Sequence, residues 1–132
     1  MPISCIDVPP GIRVEAKEKL VKNIYAELDE AYHIPDTRIF IREWPPENVS
    51  QDGRLDSQPA KPVFFLEVPP GIRIDVKRKM VKRISAAIAE AYHLPDVLIL
   101  IREYALDMVS QDGGLQSENP LIFEALKQAA NT

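Results

Sequence analysis

The chain is poor in the residues that announce most chemistries: 132 residues carry one cysteine, one tryptophan, two histidines and five glycines. Cys5 alone cannot form an intramolecular disulfide and fits a reducing compartment, which makes the cytoplasm the expected location. With so few glycines and histidines there is no Gly-rich phosphate loop and no metal-spaced cluster, so neither cofactor nor metal is expected. No apolar run reaches membrane-spanning length and no signal-peptide core is present. The net charge is only -4, and basic residues alternate with acids rather than cluster. That pattern argues against nucleic acid and membrane surfaces as partners.

What the chain does have is an internal repeat. Aligning residues 2–53 with 62–113 makes a little over half the positions identical, including Val8-Pro9-Pro10-Gly11-Ile12-Arg13 and Val49-Ser50-Gln51-Asp52-Gly53. A lone half of this size buries too little surface to be comfortably stable. The expected organisation is therefore a single domain over 1–132: repeat 1 (2–53), a polar linker (54–61), repeat 2 (62–113) and a C-terminal segment (114–132).

Each half reads alike. A short β-forming run at 2–8 recurs at 63–68, and Pro-Pro-Gly then forces a turn. From Val14 to about Tyr32 the apolar residues Leu20, Val21, Ile24, Leu28, Ala31 and Tyr32 share one helical face; Met80, Val81, Ile84, Ile88, Ala91 and Tyr92 do so in the second copy. Pro35 and Pro95 stop the helices. Ile39 to Ile41 and Leu98 to Ile101 are second strands, each ending at Arg-Glu. Strand, helix and strand at this spacing predict parallel βαβ units. The expected class is α/β (α+β in some schemes), a four-stranded sheet with two helices on one face. These strands are apolar on both sides, so the second face also needs cover. Only the Leu121–Ala130 segment, read as a short helix, is left to provide it, and oligomerisation is expected.

Met1-Pro2 ahead of an apolar strand, a Gly turn, an amphipathic helix and a strand closing on Glu43 resembles the tautomerase superfamily of the 4-oxalocrotonate tautomerase type. The two-unit length is similar to the fused decarboxylase and dehalogenase branches of that superfamily. The resemblance spans 2–113. It implies a homotrimer and a cofactor-independent isomerase, a tautomerase of small 2-oxo acids or enol carboxylates, with Pro2 as general base. It leaves two alternatives: a dehalogenase, hydratase or decarboxylase of three-carbon acids, or a non-catalytic oligomeric binding module.

The physical basis for Pro2 is acid–base poise. Removing Met1 leaves a secondary amine; a free α-amine titrates near roughly 7.7–8.0, and burial or a nearby cation lowers it further. Such an amine takes and returns a proton at carbon near pH 7, and the proline ring fixes its direction. Pro62, an amide in mid-chain, cannot do this. A carboxylate substrate calls for arginine. Arg38 matches the strand arginine of the family, and its repeat partner is Leu98. The family arginine that follows the turn glycine is displaced here, since Ile12 and Ile72 hold that place and Arg13 and Arg73 come one residue later. By the resemblance Arg73, Arg38 and Arg13 are the substrate-binding candidates. Trp44 and Tyr104 are candidate pocket walls or packing residues. Val49 stands where the family has a pocket phenylalanine. His33 and His93 read as helix C-terminal residues, and Asp36, repeated by Asp96, reads as a helix-to-strand turn.

Overall fold

Pro-Pro-Gly sets where the first strand of each half stops. Gly11 and Gly71 both adopt φ 114, a backbone region that only glycine enters without strain. In the computed structural model, which describes residues 1–131, the first half runs β1 (Ile3–Val8), α1 (Val14–Tyr32) and β2 (Arg38–Glu43). A short hairpin follows, β3 (Ser50–Gln51) and β4 (Arg54–Leu55). The second half repeats this as β5 (Val63–Val68), α2 (Ile74–Tyr92), β6 (Leu98–Glu103) and the hairpin β7 (Ser110–Gln111) with β8 (Gly114–Leu115). The chain closes on α3 (Pro120–Asn131). Thr132, the last residue of the C-terminal segment, lies outside the described residues.

The hairpins were not read from the sequence, although their signal is Asp-Gly. Asp52-Gly53 and Asp112-Gly113 all have positive φ, as a two-residue hairpin turn of this twist requires.

The main sheet has the order β2-β1-β5-β6. β1 and β2 are parallel, as are β5 and β6, while β1 and β5 meet antiparallel, with Ile3 opposite Glu67 and Asp7 opposite Val63. The sheet is thus mixed, and its two halves are related by an approximate two-fold. Ser4, Ile6, Val8, Phe64, Leu66 and Val68 point to the helical side. There the apolar ones join Leu20, Ile24, Leu28, Met80, Ile84 and Ile88 in one core. Each such side chain contributes about 1.5–3 kcal/mol by leaving water. His33 and His93 sit in the left-handed C-cap position of their helices, where a backbone N–H satisfies the carbonyl of Asp29 or Ala89.

The helix-free face carries Phe40, Cys5, Phe65 and Leu100 in one row across the four strands. Phe40, Leu98 and Leu100 are exposed. The C-terminal helix does not cover this face. Instead α3 packs against α1, burying Ile122 and Ala125 in the core. Its buried positions fall at i, i+3 and i+7, which suits a helix-to-helix contact.

Candidate active site

Because β1 and β5 are antiparallel, the start of one repeat lies beside the end of the other. A cavity of about 290 Å³ opens at the start of β1. Met1, Ile3, Asp36 and Arg38 line it from the first repeat; Glu67, Tyr104, Met108, Val109, Ser110 and Gln111 line it from the second. It is near the lower end of small-molecule sites.

The two-fold builds the same cavity once more at the other end, sixty positions shifted, and there it is filled. Asp7, Trp44, Val49, Gln51, Lys61 and Val63 line a space of only about 80 Å³. The linker occupies it: Gln51 Nε2 donates to the Pro59 carbonyl at 3.0 Å, and the Lys61 N–H donates to Gln51 Oε1 at 2.7 Å. Pro62 therefore lies behind the linker, and Leu98 stands where Arg38 stands at the open end.

In the open cavity the N-terminal amine of Met1 donates to the Pro35 carbonyl at 2.6 Å. Burial pulls its pKa from 8.0 to about 5; Asp36 opposes this fall and Arg38 adds to it. Such an amine is neutral at pH 7. Pro2, the next residue, is buried, and its carbonyl accepts the Arg38 N–H at 3.0 Å. Arg38 lies against Asp36 through two bonds, Nε to Oδ1 at 3.1 Å and a terminal nitrogen to Oδ2 at 2.9 Å. The Arg38 hydrogen bond, with further help from its charge, holds the Asp36 carboxyl below its ordinary range. Gln111 donates to Asp36 Oδ2 at 2.8 Å. On the far wall, Glu67 pairs with Arg102 at 3.0 Å. Together these groups offer a buried base, a cation and two carboxylates around one small space.

The structure brings Arg38 and Tyr104 together in the lining of the open cavity, whereas Pro2 is buried between the lining residues Met1 and Ile3 and does not itself line it. It does not bring Trp44 there: Trp44 lines the filled counterpart and donates its Nε1 to Asp7 at 2.7 Å. Trp44 and Tyr104 are repeat partners, so the two-fold assigns one to each end. Arg73 lines a separate cavity on the helical side, beside His33 and Lys79, and its Nε lies 3.2 Å from Asp75. Arg13 is exposed at the N-cap of α1, past the filled end of β1. The offset isoleucines explain both positions. Ile12 and Ile72 pack against the core, which turns the following arginine outward.

Among the lining residues not singled out from sequence as site residues, three carry the cavity's side-chain hydrogen bonds and ion pairs: Asp36, Glu67 and Gln111. Asp36 looks like an ordinary turn residue because Asp96 repeats it; its signal was that Arg38, two residues on, has no repeat counterpart. Gln111 has an identical partner in Gln51, and nothing local separates the two. Among the described residues no group of three or more His, Cys, Asp or Glu side chains is arranged to hold a metal ion. No helix among them is long and apolar enough to cross a membrane.

No protein-family model and no curated protein matches the chain. Solved structures do match in fold. A fused 4-OT designated F6, solved as a wild-type asymmetric trimer, superposes with a TM-score of 0.79 at 22% identity over 87% of this chain and 96% of that one. A native fused 4-OT gives 0.79 at 18% identity over 89% and 98%. The protein N1, described as a member of the cis-3-chloroacrylic acid dehalogenase family, gives 0.74 at 12% identity over 98% and 99%. The fold is that of these fused 4-OT structures, which is the fold that the resemblance in the sequence implied.

Proposed function

We propose that the open cavity catalyses cofactor-independent proton transfer on a small 2-oxo acid or its enol carboxylate, with the N-terminal amine as general base. In the chain without Met1, that amine is the secondary amine of Pro2. Its lone pair takes the enol hydroxyl proton, the oxygen becomes the carbonyl, and the ammonium returns a proton to carbon, so substrate and product are isomers. Arg38 holds the substrate carboxylate. Arg73, which lines the separate cavity on the helical side, takes no part in this site within one chain.

The observation that carries the reading is the asymmetry of the duplication. Two copies that agree at a little over half their positions differ at the amine, the strand arginine and the space between them. One end is open with Arg38; the other is filled and has Leu98. The uncovered sheet face and the trimeric fused 4-OT structures support assembly into a homotrimer. The test is ketonisation of phenylenolpyruvate by protein whose intact mass shows loss of Met1, compared with the same chain acetylated at its Pro2 nitrogen. Turnover that survives acetylation unchanged sinks the mechanism.

A second reading rests on Glu67. A carboxylate across the cavity from the amine suits activation of water for addition to a three-carbon acid, with Arg38 holding that acid's carboxylate. Chloride release from cis-3-chloroacrylate without phenylenolpyruvate turnover selects it.

A further inference from the structure

Arg38 stands at the end of a chain of hydrogen bonds that starts in the core. Gln116, 1% exposed, donates its Nε2 to Gln111 Oε1 at 2.8 Å. That bond leaves the NH₂ end of Gln111 for Asp36 Oδ2, at 2.8 Å. Asp36 then takes two bonds from Arg38. The filled end has no such chain. There Gln51 uses both ends of its amide on the linker, Asp56 stands in place of Gln116, and Leu98 replaces the arginine. The relay therefore exists only where the cavity is open.

We propose that Asp36 is an internal competitor that masks Arg38 in the empty cavity, and that Gln111 is the positioning residue that keeps it there. A substrate carboxylate then binds by exchange with Asp36 rather than by simple addition. The inference rests on the reading of Arg38 as the group that holds substrate carboxylate. An arginine already neutralised by a neighbouring carboxylate attracts a second anion less, and the neighbour repels that anion directly. Asp36 is partly solvent-facing, with its side chain 37% exposed, so it can turn to water when another anion arrives. The Gln111 bond opposes that turn. Removing either residue should therefore tighten anion binding, the reverse of what lost packing does.

Asp36→Asn is a clean probe. Residue 36 has φ 64, a conformation that Asn tolerates as well as Asp, and the variant keeps an acceptor for Arg38 while losing the charge. Pyruvate is titrated into the full chain and followed by ¹H–¹⁵N NMR for wild type, Asp36→Asn, Gln111→Ala and Asp36→Asn/Arg38→Leu. The expected result is roughly three- to tenfold tighter binding for Asp36→Asn, a smaller gain for Gln111→Ala, and no gain in the double variant. High salt shrinks the gain. Pyruvate bound no more tightly by Asp36→Asn and Gln111→Ala than by wild type overturns the proposal. Binding needs no turnover, so failure of Pro2 as the base and failure of Asp36 as a mask are told apart.

Discussion

An amine placed in this cavity should make folding stability depend on pH in a defined window. In the chain that carries Met1, the α-amine falls from 8.0 to about 5, chiefly through burial. The folded pKa lies below the unfolded one. Between about pH 5 and 8 the unfolded chain therefore holds a proton that the folded chain does not, and stability rises with pH across that window. A fall of this size corresponds to about 4 kcal/mol. Met1 as a whole is only 8% exposed, yet its amine stands at the wall of an open cavity that water enters. Screening reduces the effect to about 1–2 kcal/mol. The assay is urea unfolding at a series of pH values for the Met1 chain with its amine free and with it acetylated. Every group other than the amine is common to both chains, so the comparison isolates the amine. The free-amine chain should lose about 1–2 kcal/mol against the acetylated one as pH drops from about 8 to 5. Asp36→Asn should move the midpoint lower and Arg38→Leu should move it higher. Parallel stability curves for the two forms refute the argument that this cavity depresses an amine.

Arg38→Leu, which copies the residue of the filled end, should raise KM for phenylenolpyruvate by roughly tenfold or more, as expected for a lost charge-assisted bond, with a smaller change in kcat. Steady-state kinetics measure it. Trp44→Phe and Pro62→Ala belong to the filled end, so both should leave turnover unchanged while chemical denaturation reports a modest stability loss. Ile24→Ala, at a fully buried position facing the sheet, should cost about 2–5 kcal/mol in the same experiment.

Much of the fold was legible because it was written twice. Helix bounds, strand order within each half and the placement of both helices on one face follow from the apolar periodicity and the Pro-Gly punctuation. The antiparallel join of β1 to β5 was not legible, since no local pattern encodes how two βαβ units meet. That join decides the site. It carries Glu67, Tyr104 and Gln111 to the amine and sends Trp44 to the far end. Arg38 could be found as the one cation of the four main strands without a basic repeat partner. Gln111 could not, because its identical twin Gln51 differs from it only in its three-dimensional surroundings, and Asp36, with its twin Asp96, was marked only by its nearness to Arg38. The C-terminal helix shows a similar gap. Its amphipathic pattern gives a helix with one buried face, and only the fold shows that this face meets α1 rather than the open side of the sheet.

The central claim, that the terminal nitrogen in the open cavity is the base, is tested most directly by acetylating that nitrogen alone. Met1-free protein with Pro2 as its first residue is compared with the same chain acetylated at Pro2, both confirmed by intact mass, in phenylenolpyruvate ketonisation. Acetylation removes the lone pair and should reduce turnover by about a hundredfold or more. An acetylated chain that retains turnover close to that of the free one contradicts the account.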